Sequence, residues 1–155
     1  NLPSMILEPI QRPELSDKTK LAYGQFERLI VEIKKKKLPE EIELVINKHI
    51  TQLNSVTDSG KTLRNAIRKE QSKIVGMLAQ KLKIVPINYF RKTWFVLGMT
   101  VFGLPIGAAL GLSLGNMAFL GIGLPVGMSM GLAMGARMDN KAKEEGRQLD
   151  IELKM

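Results

Sequence analysis

Cysteine is absent from the 155 residues, and histidine occurs once, at His49. Neither a disulfide scaffold nor a zinc–cysteine site can be built from this chain. Aromatic residues make up only 5%, and no compact set of nucleophile, base and acid occurs. The chain therefore reads as a non-enzyme with no catalytic residue, no metal and no cofactor. The most informative absence is of charge. Between Lys92 and Arg137 lie 44 residues without one Asp, Glu, Lys, Arg or His, and ten of the 14 glycines fall there. The average of 25% charged and 45% hydrophobic residues thus conceals two unlike regions.

A bilayer core takes about 20 apolar residues of helix. The uncharged stretch 93–136 is long enough for two spans and a turn, and too long for one. Its composition predicts an all-α protein: a membrane hairpin of two transmembrane helices with an N-terminal cytoplasmic helical domain. The spans are expected at roughly Trp94 to Leu114 and Ala118 to Ala136, turning at Gly115-Asn116-Met117. A buried helix pair in a soluble protein would need apolar mass elsewhere to cover it, and residues 1–92 do not offer it. Lys81, Lys83, Arg91 and Lys92 precede the first span, Arg137, Lys141, Lys143 and Arg147 follow the second, and the turn carries no charge. The positive-inside rule then places both termini in the cytoplasm and the turn on the far side, and the chain reads as a small bacterial-type inner-membrane protein. Tyr89, Phe90 and Trp94 sit where amphipathic rings prefer the headgroup level.

Each span repeats one pattern. Gly103-Leu104-Pro105-Ile106-Gly107 returns as Gly123-Leu124-Pro125-Val126-Gly127. Glycines continue at steps of four: Gly103, Gly107, Gly111 and Gly115, then Gly123, Gly127, Gly131 and Gly135. Residues four apart stack on one helix face, so each span carries a packing stripe; Gly98 falls outside both. Folding about residue 117 would pair Gly103 with Gly131, Gly107 with Gly127 and Gly111 with Gly123. Pro105 and Pro125 hold equivalent places and should each kink a span. Over about residues 98–136 the pattern resembles the glycine-zipper class of membrane segments. That resemblance implies close helix packing, and it extends to homo-oligomeric channels and pore-forming toxins. Proton-driven rotor rings share glycine-rich hairpins but need a mid-membrane carboxylate, which neither span has.

Residues 1–14 read as an extended Pro-rich arm, 15–92 as a cytoplasmic helical region with an interfacial segment, 93–136 as the hairpin and 137–155 as a charged cytoplasmic tail. Three helices are expected in the second region, and no strands. One starts at Ser16, with Leu21, Ala22, Phe26, Leu29, Ile30 and Ile33 on its inner face. A second starts at Pro39 and a third follows a turn at 54–60; these two should pair antiparallel. Arg68, Lys69, Glu70, Gln71 and Lys73 interrupt the third helix's apolar face. Asp58-Ser59-Gly60-Lys61-Thr62 resembles the end of a phosphate loop, but Ser55 stands where its first glycine belongs and a helix precedes it. His49, on an apolar face without a second ligand, reads as a packing residue.

Residues 1–92 hold 18 basic and 10 acidic residues, while 137–155 hold five of each. The excess charge suits a membrane surface, anionic lipid or an acidic protein surface, and Lys34, Lys35, Lys36, Lys37, Arg91, Lys92 and Trp94 are the candidate contacts. No recognition motif or interleaved aromatics point to nucleic acid. Two functions are expected from this pattern. One is a homo-oligomeric membrane assembly in the lipid bilayer, with a pore or channel as one form of it. The alternative is a structural or adaptor subunit that anchors the cytoplasmic helices to a larger membrane complex.

Overall fold

The computed structural model describes residues 15–58 and 60–154; the expected Pro-rich arm lies outside the described residues. The fold is all-helical apart from two very short strands, and it divides into two compact units.

The first unit holds α1 (Asp17–Lys34), α2 (Glu40–Asn54), α3 (Lys61–Lys81) and the C-terminal segment from Leu149. Apolar residues at helical spacing turn inward: Phe26, Leu29 and Ile33 from α1, Ile42, Ile46 and Ile50 from α2, Leu63, Ile67 and Ile74 from α3. Each such side chain contributes roughly 1.5–3 kcal/mol on burial. Leu21 does not join them and is 72% exposed. It lies five residues before Phe26, about 140° around the helix at 100° per residue. Ser16 occupies the N-cap of α1, but its side chain caps no backbone N–H of the first turn. Its hydroxyl meets Thr19 Oγ1 at 2.9 Å, and Thr19 Oγ1 donates to the Gly60 carbonyl at 3.5 Å. The start of α1 is thereby tied to the start of α3.

The polar interruption in α3 is an internal feature. Glu70 and Gln71 are buried, at 7% and 6% exposure. Glu70 bonds His49 Nδ1 of α2 at 2.5 Å and Lys73 Nζ at 2.9 Å. Burial pushes the Glu70 carboxyl upward, but its bonds to Lys73 and His49 outweigh this and hold it below its ordinary value. The alternation Leu149-Asp150-Ile151-Glu152-Leu153-Lys154 buries its three apolar members. Gln25 pins the segment, accepting from the Lys154 N–H at 3.1 Å and donating to its carbonyl at 3.2 Å. The expected tail 137–155 is therefore divided, its last residues belonging to the first unit.

The second unit covers residues 85–148. Two strands not expected from the sequence, β1 (Val85–Pro86) and β2 (Gln148–Leu149), pair, and Val85 N–H donates to the Arg147 carbonyl at 3.0 Å. Two residues carry no alternation to read, which is why they were not visible. Between them run α4 (Tyr89–Leu97), a π-helical turn (Gly98–Gly103), α5 (Leu104–Ser113), a 3-10 turn (Met117–Phe119) and α6 (Leu120–Glu144). The continuous helices Tyr89–Ser113 and Met117–Glu144, 25 and 28 residues, are both long and apolar enough to cross a membrane. At 1.5 Å per residue the shorter spans about 38 Å.

The turn falls one residue earlier than expected. Gly115 takes the left-handed conformation, φ +67°, and the Asn116 N–H returns to the Gly111 carbonyl at 3.0 Å. This is the six-to-one bond of a Schellman cap. Asn116 Oδ1 then accepts from the Ala118 N–H at 2.9 Å and starts the next helix. Asn116 itself is extended, at φ −140°. Gly146, also at φ +67°, ends α6 in the same way, with Arg147 N–H on the Ala142 carbonyl at 2.8 Å.

Candidate functional site: a backbone-to-backbone helix contact

Along the α4–α5 helix the buried residues are Gly98, Gly103, Gly107 and Gly111. Along α6 they are Gly123, Gly127, Gly131, Gly135, Asp139 and Ala142. The two rows face each other antiparallel. A Cβ added at Gly123 would sit 2.5 Å from the Gly107 Cα, one at Gly127 2.5 Å from the Gly103 Cα, one at Gly131 3.0 Å from the Gly98 Cα, and one at Gly135 2.5 Å from the Arg91 Cα. No side chain larger than hydrogen fits there without moving backbone. Gly111 closes the row against Met117.

The stripe differs from the expected one at both ends. Gly115 has no atom within 4 Å of its Cβ position and belongs to the turn, whereas Gly98 is buried against Gly127 and Gly131. The register accordingly shifts by about one turn, so that Gly107 meets Gly123 and Gly103 meets Gly127. Both pairs are centred on Gly115 of the hairpin turn and not on residue 117, which sets the register, and the π turn brings Gly98 into the row. Leu104 N–H bonds the Met99 carbonyl, five residues back. Gly98 and Gly103 are five apart and would drift around a regular α-helix; the wider turn returns both to one face. On α6 the glycines step by four: 123, 127, 131, 135. The carbonyls they approach belong to Gly103, Gly98, Trp94 and Phe90, whose one five-residue step is the π turn. Glycine Cα–H groups against carbonyl oxygens are weak attractions that recur where helices approach closely.

Pro105 enters directly after the π turn, in the first turn of α5, where its missing N–H is least disruptive. Pro125 lies inside α6, which continues through it. Hydroxyls in both helices bond their own backbone: Thr100 to the Val96 carbonyl at 3.0 Å, Ser129 to the Pro125 carbonyl at 2.8 Å.

Asp139 is the residue the sequence reading missed. Its carboxylate is 6% exposed and reaches across to the start of α4, accepting from Phe90 N–H at 3.0 Å and Arg91 N–H at 2.9 Å. Helix α4 has no cap of its own. Asn88 precedes it in the left-handed region, φ 59°, without a side-chain cap, and its first turn holds no acid. Asp139 supplies the acceptors and the negative charge that the helix start favours. The signal was an uncapped helix start and one acid just after the second apolar run.

The basic residues of this unit gather at the same end, Arg91 beside Gly135 with Arg137 two residues on, while the Gly115–Asn116 end is uncharged. Tyr89 and Phe90 pack edge to face there at 5.3 Å, and Trp94 is half-buried. In the first unit Lys34 ends α1, Lys35 pairs with Glu32, and Lys36 and Lys37 follow in the loop. Among the described residues no three His, Cys, Asp or Glu side chains gather as metal ligands would. No protein-family model, curated protein or solved structure matches this chain.

Proposed function

We propose that this chain is a two-span integral membrane protein whose self-packed hairpin anchors a basic helical domain, as a structural or adaptor subunit of a larger membrane complex. One observation carries the reading: both glycine rows are consumed within the chain, each against the other. That is glycine-zipper packing used to close a hairpin. Outward it turns Val101, Leu112, Ile122 and Val126, all exposed, a surface suited to acyl chains. The clustered basic residues at one end and the uncharged turn at the other support both termini on the cytoplasmic face of an inner membrane. Anionic lipid or an acidic protein surface would then meet Lys34 to Lys37.

A second reading, a homo-oligomeric ring with a pore or channel, is favoured by small residues on the outer surface. Ala109, Gly121, Ser129 and Ala133 are all exposed, and small residues let copies approach in lipid. A cysteine at Ala133, crosslinked in native membranes, separates the readings. Crosslinks to a different protein, or none, support the anchor; a ladder of homo-oligomers supports the ring. In the same membranes a cysteine at Asn116 should label from outside intact cells and one at Lys143 should not. Outside labelling of Lys143 overturns the topology.

A further inference from the structure

The first unit contains a cleft of about 380 Å³, lined by Lys18, Leu21, Ala22, Gln25, Arg64, Arg68, Gln71 and Lys154. Its chemistry is one-sided. Among the described lining residues four side chains are cationic and none is a carboxylate. None of the four cations has an ion pair with an acid among the described residues. Three separate elements deliver the cations. Lys18 comes from the first turn of α1, Arg64 and Arg68 from one face of α3 at a spacing of four, and Lys154 from the C-terminal segment.

The amides sharpen the picture. The Lys154 N–H can only donate, so the Gln25 oxygen must face it, and Gln25 Nε2 is left to donate to Gln71 Oε1 at 3.3 Å. That fixes Gln71 in turn. Its Oε1 is taken, and its Nε2 is a donor with no partner among the described residues, on a side chain only 6% exposed that lines the cleft. The cleft thus offers two guanidinium forks, two ammonium groups and an amide N–H, all donors, beside an apolar wall of Leu21 and Ala22.

We propose that this cleft binds a phosphate-bearing ligand of one or more negative charges, with Arg64 and Arg68 as the principal contacts and Gln71 Nε2 as the orienting donor. A guanidinium matches phosphate oxygens two at a time. Several oxygens on one group use convergent donors that a single carboxylate would leave partly unmet. The apolar wall suits the organic body carrying the phosphate. A phospholipid headgroup and a soluble organic phosphate share this chemistry.

The probe is pyrophosphate, titrated calorimetrically into the full chain in neutral-detergent micelles at constant ionic strength. Saturable binding to one site is expected, weakened at least tenfold by Arg64→Gln with Arg68→Gln. Lys18→Gln with Lys154→Gln, from the other walls, should also weaken it, and covers the case in which the arginine pair perturbs folding. Lys48→Gln with Lys69→Gln removes two exposed charges outside the cleft and should leave affinity within twofold. Absence of saturation, wild-type affinity in both cleft variants, or equal loss in the control pair overturns the site. Saturable binding of an oligo-glutamate peptide without pyrophosphate binding overturns the phosphate assignment in favour of an acidic protein. Nanodiscs identify the source. Pyrophosphate binding retained in phosphatidylcholine discs but lost in discs enriched in phosphatidic acid supports the site with a lipid headgroup in it. Binding retained in both supports it with a soluble phosphate.

Discussion

The two units of this chain use their residues in opposite senses. In the first, Phe26, Leu29, Ile46, Leu63, Ile67 and Ile74 are wholly buried, while Gly24 and Gly76 face open space. In the second, eight glycines are buried, α4 buries nothing, and Leu112 is 76% exposed. A water-facing unit gains by removing apolar area from solvent. In lipid that gain vanishes, and close contact between backbones takes its place. The inversion is what a chain should show if one unit folds in water and the other in a bilayer, and it can be broken or sharpened by substitution.

The largest effect belongs to the side-chain core. Phe26→Ala should destabilise the first unit by about 3–5 kcal/mol, the usual cost of emptying an aromatic site. Leu112→Ala, removing a large side chain from the second, should change stability by less than about 0.5 kcal/mol. Chemical unfolding in detergent, with a probe in each unit, measures both. A cost of several kcal/mol at Leu112 would mean that the outer face is covered by protein, and the comparison would fail.

Next come the glycines. Gly127→Leu and Gly98→Leu put bulk where backbone already stands, and overpacking typically costs about 1–3 kcal/mol. The two should be alike, since Gly98 lies in the contact. Gly121→Leu, with nothing within 4 Å of its Cβ position, is the matched tolerant site. Thermal unfolding of the hairpin in micelles ranks the three. Gly98→Leu behaving like Gly121→Leu would place the π turn wrongly.

Asp139→Ala removes both acceptors from the start of α4. Loss of a cap costs about 0.5–2 kcal/mol, and Asp139→Asn should keep part of it. Amide exchange reports this directly: Phe90 and Arg91 N–H should exchange faster in the alanine variant while amides near Gly115 do not change.

Much of this was readable in the sequence, for reasons that differ by region. The 44 uncharged residues and the step-of-four glycines announced two long apolar helices, because composition and period survive without tertiary context. Gly98 was not readable, since a step of five belongs to no regular helix and acquires meaning only through a π turn. Asp139 was hidden because its partners are backbone groups nearly 50 residues earlier, and sequence patterns register side chains. Glu70 and Gln71 looked like breaks in an apolar face. Their burial depends on His49 and Gln25, residues on other helices whose positions no local pattern supplies.

The buried Glu70 adds a pH dependence confined to the first unit. Its folded carboxyl titrates below the ordinary value of 4.5. A depressed carboxyl contributes stability above the unfolded value, and that contribution is lost as pH falls through the folded one. The urea midpoint of the first unit should therefore fall below about pH 4.5, and fall less in Glu70→Gln. Identical pH profiles would show that Lys73 and His49 do not hold the charge.

The smallest effect carries the opposite sign. Gly76 lies in the middle of α3 with no atom near its Cβ position, so Gly76→Ala meets no clash. Alanine there restricts the unfolded chain and favours the helix, a gain of about 0.5–1 kcal/mol. The same change at Gly127 places a methyl 2.5 Å from the Gly103 Cα and must lose stability. One substitution, two units and opposite signs isolate what each glycine does, because propensity is common to both sites and only the neighbouring backbone differs. Unfolding midpoints of the two variants suffice. If Gly127→Ala stabilised the hairpin as Gly76→Ala stabilises α3, the helices would have room to spare, and backbone contact would not be what holds them.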